Sequence, residues 1–211
     1  MQFHLPTTIS VNGMTGSGKS CFVRKLIKYK NDLFDKPVSK IMYAYGVWTD
    51  EYDEMEREME IEFHKNLPTE ETVNSFIDGK QCLLIIDDLM DQCVKDTTVQ
   101  NLFTRTSHHK KLTIVYLSQN LFCQGKTARN INLNTHYIVL MKSVRDINQI
   151  SVLGNQLGLK HTLVEAYSEV IQKPYGYLVV DLSPHNYNDF RIVTNIFPDE
   201  GFAIVYKPLA T

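Results

Sequence analysis

An α/β fold with a mostly parallel sheet flanked by helices is predicted by three observations. Strand-like runs recur along the chain as TTISVNG, KIMYAYG, CLLIIDD, KLTIVYLSQ, HYIVLMK and YGYLVVDL, with helical stretches between them. Most of these runs are near-continuously apolar, as strands buried on both faces are. The first run also passes through a glycine-rich turn into an amphipathic stretch, SVNGMTGSGKSCFVRKLI, where Phe22, Val23, Leu26 and Ile27 fall at helical spacing.

The 211 residues, 43% hydrophobic and 22% charged, suffice for one sizeable core. They read as a single domain over residues 1–211, with 187–211 as a C-terminal β-hairpin appendage in which FRIVTNIF and FAIVYKP flank the turn PDEG. No apolar run approaches the ~20 residues of a membrane span. The start, MQFHLPTTIS, has neither a basic beginning nor a long apolar centre, so a soluble intracellular chain is expected. Cys21, Cys82, Cys93 and Cys123 are scattered without a C-x-x-C pair, and Cys21 and Cys82 fall in predicted core elements. Reduced structural thiols fit that spacing better than a metal site or disulfides. A net charge of -2 excludes a globally basic nucleic-acid binder, so any contact with DNA must be local.

Between the first two strands lies the amphipathic helix already noted. The acidic stretch TDEYDEMEREME, Thr49 to Glu60, spaces Tyr52, Met55 and Met59 as a surface helix does. EETVNSFIDG, preceded by Thr69, reads as a helix ending at Gly79 that feeds the CLLII strand.

The glycine-rich turn matches G-x-x-x-x-G-K-[ST] at Gly13, Gly18, Lys19 and Ser20, with Gly16 as a further flexible position. Chance produces such a match about once in a hundred chains of this length, and the strand-to-helix context is the one the motif requires. Backbone N–H groups freed of side chains converge on phosphate oxygens, and the helix N-terminus adds partial positive charge. The candidate ATP contacts are Gly13, Met14, Thr15, Gly16, Ser17, Gly18, Lys19, Ser20 and Cys21. Lys19 is expected to reach the outer phosphates and Ser20 to ligate Mg2+.

A magnesium-side carboxylate must come from a neighbouring strand, and CLLIIDD ends in Asp87 and Asp88. Asp87 is the candidate metal partner and Asp88 the candidate general base. KLTIVYLSQN closes another apolar strand with Ser118 and Gln119, where a glutamine can sense the γ-phosphate and orient water; simple strand-end solvation is the alternative. Upstream, NLFTRTSHHKK places Arg105 at a helix end, a candidate arginine finger for a neighbouring subunit's ATP, with surface charge as the alternative. Arg129 and Arg145 are weaker finger candidates. His108 and His109 read as a solvated turn.

The order of these features, with FCQGKTARNINLNTHYIVLMKSVRD following, resembles the FtsK/HerA superfamily of DNA-pumping ATPases. More narrowly, it is similar to the genome-packaging ATPases of double-stranded DNA viruses and polintons, including poxvirus relatives. The likeness spans roughly Thr8 to Asp146. It implies an additional-strand, RecA-like P-loop NTPase core with the Gln119 strand between the P-loop and Asp87 strands. It also implies a homo-oligomeric ring, often hexameric, with ATP at subunit interfaces and Arg105 reaching across. Double-stranded DNA would pass through the lumen into a preformed capsid, at a capsid or portal vertex in the infected cell. Lys110, Lys111 and a Gln124–Asn134 loop carrying Lys126 and Arg129 are the candidate DNA contacts. Asp88 stands where many relatives carry glutamate, which shortens its reach. A helicase or plasmid-transfer ATPase, or a nucleotide-gated assembly protein with slow turnover, is the competing expectation.

Overall fold

The computed structural model describes residues 1–89, 103, 111–122, 126–184 and 186–208. Among these, one sheet runs in the order β3-β2-β4-β5-β1-β6-β7-β8-β9. Its strands are β1 (Thr8–Asn12), β2 (Val38–Tyr45), β3 (Glu62–Lys65), β4 (Gln81–Asp87), β5 (Leu112–Ser118), β6 (Tyr137–Met141), β7 (Tyr177–Asp181), β8 (Ile192–Thr194) and β9 (Ile204–Tyr206). From β3 through β6 every pairing is parallel, and from β6 through β9 every pairing is antiparallel. β5 lies between β4 and β1, the additional-strand arrangement expected above. The C-terminal β8–β9 pair is antiparallel, and β8 also pairs with β7, so these strands extend the same sheet.

The helices are α1 (Lys19–Lys28), α2 (Lys30–Leu33), α3 (Asp50–Glu58), α4 (Glu70–Phe76), α5 (Lys126–Leu133), α6 (Ile147–Leu157) and α7 (Lys160–Val170). Strand periodicity divides the core between two layers. Ile9, Val11, Leu83, Ile85, Val115, Leu117 and Val139 face α1 and α3, where Phe22, Val23, Leu26, Tyr52 and Met55 cover them. Leu84, Ile86, Ile114 and Tyr116 face Val73 and Phe76 of α4 on the other side. Farther along that side, Ile138, Leu140, Leu178 and Val180 pack under Leu153, Leu163 and Tyr167 of α6 and α7.

Three expectations need correction. The helix expected to reach Gly79 stops at Phe76, because Ile77 turns extended (φ -75, ψ 118) and Gly79 sits at φ +81. Cys21 is exposed, since the face of α1 set by Phe22, Val23, Leu26 and Ile27 leaves it outside; Cys82 is buried as expected. Residues 126–133 form a helix rather than part of a loop, anchored by buried Ile131 and continued by Asn134 N–H donating to Asn130 O at 3.2 Å.

The short β3 was not anticipated, because a four-residue strand reading EFHK offers no apolar run. Cys93 and Cys123 lie outside the described residues.

α1 is seated on the sheet through Phe22, whose ring meets Tyr177 edge-on at 5.0 Å and Phe197 at 5.1 Å between centroids. Phe22→Ala should therefore leave a cavity between α1 and the C-terminal strands. The expected loss is about 3–5 kcal/mol of unfolding free energy, read by equilibrium urea denaturation.

Candidate functional site

The glycine-rich turn leaves the C-terminal end of β1 and is tied to both flanking strands. Gly13 N–H donates to Ser118 O at the end of β5 (3.1 Å), and Met14 N–H to Lys142 O just beyond β6 (3.2 Å). Ser17 N–H then closes the turn onto Met14 O at 3.1 Å. Gly16 and Gly18 adopt φ +76 and +99, a region that side chains disfavour. A Cβ on Gly13 would lie 2.6 Å from Ser17 Oγ and 2.9 Å from Met141 Cβ, so the turn packs too closely for anything larger.

Gly18 caps α1, and the helix starts at Lys19. Its first N–H groups lack intrahelical acceptors and carry the positive end of the helix dipole. Lys19 folds back over the turn, donating to Gly13 O at 2.8 Å and Met14 O at 3.1 Å. Burial lowers the affinity of its amine for a proton, and the nearby Asp87 and Asp88 carboxylates only partly restore it.

Asp87 is the last residue of β4 and only 7% exposed. Its Oδ2 accepts hydrogen bonds from the Tyr43 hydroxyl at 2.6 Å and the Tyr52 hydroxyl at 3.0 Å. The parallel β2–β4 register sets Tyr45 opposite Asp87, which brings Tyr43, two residues earlier, onto the same face. Tyr52 arrives from the first turn of α3. Burial pushes the Asp87 carboxyl above the usual carboxylate range, although the two hydroxyls and Lys19 pull it down. Burial and the Asp87 charge likewise push Tyr43 and Tyr52 well up, so both remain donors at neutral pH.

A cavity of about 560 Å³ opens here at the C-terminal ends of the parallel strands. Thr15, Gly16, Gly18, Lys19, Ser20, Cys21, Asp87, Asp88 and Gln119 all line it. Gly13, Met14 and Ser17 build the turn beneath. Asp88 is exposed at φ +54, turning away from the strand just past Asp87. The cavity also draws on residues that the sequence reading did not single out for it: Gly46, Val47, Thr49 and Glu51 after β2, Tyr52, and Tyr175 before β7. Tyr52 had a legible role only as part of an apolar helix stripe. Nothing in its spacing points to Asp87.

Other candidates lie elsewhere. Arg105, His108, His109 and Lys110 are outside the described residues. Lys111 precedes β5, at the opposite end of the parallel strands from the cavity, and donates to Gly79 O at 2.9 Å. Lys126 begins α5, and Arg129 is exposed on that helix. Among the described residues no group of three or more His, Cys, Asp and Glu gathers as a metal cage, and no helix is long and apolar enough to cross a membrane.

The residues present fit a nucleoside triphosphate with a divalent cation. Among the described residues Ser17 Oγ is buried without a hydrogen-bond partner, and the turn beside it admits only backbone at Gly13 and Gly18. Lys19 would offer its cation to phosphate, while the Ser20 hydroxyl and Asp87 carboxylate would offer hard oxygen donors to a divalent ion.

The buried carboxylate has a measurable consequence for stability. Because its proton affinity is raised on folding, the folded chain binds that proton more tightly than the unfolded chain does. Its contribution is most favourable below the ordinary carboxylate pKa and is lost as the pH rises through the raised value. Asp87→Asn should therefore raise Tm at about pH 7.5. Thermal melts across pH check it, with the gain expected to shrink toward about pH 4.

Solved structures share this architecture. B204, the DNA-packaging ATPase from Sulfolobus turreted icosahedral virus, is 12% identical, with a TM-score of 0.56 over 99% of this chain and 100% of that one. The genome packaging NTPase B204 from Sulfolobus turreted icosahedral virus 2, solved in complex with ATP-gammaS, is 13% identical, with a TM-score of 0.54 over 97% and 98%. The cytoplasmic domain of EssC is 14% identical, with a TM-score of 0.52 over 98% of this chain and 40% of that one. No match was found among curated proteins. At these identities the structural likeness establishes the fold, a mostly parallel P-loop NTPase sheet flanked by helices. Residues 3–196 match the family described as Poxvirus A32 protein, and on that match the chain belongs to the poxvirus A32 family.

Proposed function

We propose that this protein is a magnesium-dependent ATPase that drives double-stranded DNA into a preformed viral capsid, acting as a homo-oligomeric ring with ATP at subunit interfaces. The observation that carries the reading is the convergence of the phosphate-binding turn, Lys19, Ser20, Asp87, Asp88 and Gln119 on one cavity. Family membership and the fold shared with B204, itself described as a genome packaging NTPase, support the same reading.

In this scheme the turn and the α1 N-terminus hold the phosphates, and Lys19 leaves the Gly13 and Met14 carbonyls to pair with the outer ones. Ser20 and Asp87 would hold magnesium, which when bound would supply positive charge to the phosphates. Asp88 accepts the proton of the attacking water, and Gln119, at the end of the neighbouring strand, orients that water. Arg105 of an adjacent subunit supplies the remaining positive charge. Lys110, Lys111, Lys126 and Arg129 contact the DNA backbone without reading its sequence.

Lys19→Ala and Asp87→Ala should each reduce ATP hydrolysis at least about a hundredfold, the scale of losing one charge-stabilising group. Double-stranded DNA should stimulate the wild-type rate more than single-stranded DNA does. Equal rates with and without DNA, in a preparation shown by native mass measurement to be a ring, would overturn the motor reading. Arg105→Ala subunits mixed into wild-type rings should suppress activity beyond their share while still binding ATP. Activity falling only in proportion would remove the trans role.

A further inference from the structure

We propose that Tyr175 is the stacking platform for the nucleobase in this cavity, an inference that rests on the nucleotide reading above. Tyr175 lines the same cavity as Lys19 and Ser20, and the residue is 64% exposed, so its ring is open to a ligand. The ring stands directly beside the start of α1: a Cβ built on Gly18 would lie 2.6 Å from Tyr175 Cδ1 and 3.2 Å from its Cβ.

The backbone beneath it is held under constraint. Tyr175 has φ +56, a conformation that a bulky aromatic rarely adopts and that persists only where its surroundings enforce it. The surroundings do so. At the end of α7, Lys173 N–H donates to Val170 O at 3.2 Å, and Gly176 N–H donates to Lys173 O at 3.1 Å. Gly176 is pressed so closely on the helix end that a Cβ there would lie 1.9 Å from Val170 O. The next residue, Tyr177, packs its ring on Phe22 of α1. The mount that aims Tyr175 at the cavity is therefore fixed to the same helix that starts the phosphate site.

Phosphates are met by the turn, Lys19 and Ser20, so an aromatic face beside the Gly18–Cys21 segment is left for the flat end of the ligand. A face-on platform recognises a base through its π surface, which adenine and guanine share. Tyr175 thus favours nucleotides over bare polyphosphate without choosing between purines.

Calorimetric titration with AMPPCP, GMPPCP and inorganic tripolyphosphate, each with magnesium, tests this. Tyr175→Asn removes the ring while keeping a residue that tolerates positive φ, and Tyr175→Phe keeps the ring. Tyr175→Asn should weaken both nucleotides about 10- to 100-fold and leave tripolyphosphate within about twofold, whereas Tyr175→Phe should match wild type. Unchanged nucleotide affinity in Tyr175→Asn, equal weakening of tripolyphosphate, or wild-type binding of tripolyphosphate as tight as AMPPCP would each overturn the platform while leaving the phosphate site standing. Failure of wild type to bind any of the three would overturn the nucleotide reading, and the platform with it.

Discussion

The site depends first on how the chain leaves β1 in the middle of a sheet. A central strand cannot end in an unsatisfied loop, because buried N–H groups need acceptors. Gly13 and Met14 meet that demand by donating to the last residue of β5 and to the residue just after β6, one on each side. The turn is thereby stretched across the gap between two strands before it curls into α1. Glycine is required where the span is tightest, at Gly13, and where the curl reverses, at Gly18. The positions of Lys19, Ser20 and the helix N-terminus follow from those two hydrogen bonds.

The fold was legible in the sequence wherever burial leaves a periodic trace. Phe22, Val23, Leu26 and Ile27 announced α1, and CLLII announced a strand covered on both faces. The additional-strand order came from resemblance, and the sheet has it. What escaped was short or polar: EFHK is paired to β2 by backbone bonds that no side-chain pattern records. Residues 126–133 carry few apolar positions, so their helix was hidden behind glycine and asparagine neighbours.

The candidate site was legible where its proposed chemistry would constrain the sequence. Phosphate binding by backbone needs glycines at fixed spacing, and a metal-side carboxylate needs a strand to deliver it; both leave a local signature. The tyrosines do not. Tyr43 and Tyr52 reach Asp87 from separate elements, and Tyr175 approaches Gly18 from a turn more than 150 residues downstream. Such contacts exist only once the sheet is assembled.

The pairing of Asp87 with two tyrosines also bears on its denticity. Both hydroxyls occupy Oδ2, and among the described residues Oδ1 accepts no side-chain hydrogen bond. A carboxylate that could otherwise grip a cation with both oxygens is reduced to offering one. Large, weakly hydrated cations such as calcium profit from a two-oxygen grip, whereas magnesium keeps most of its waters and needs only a single oxygen contact. If Asp87 holds a cation as proposed, the hydroxyl pair would therefore leave it a one-oxygen contact, which suits magnesium better than calcium.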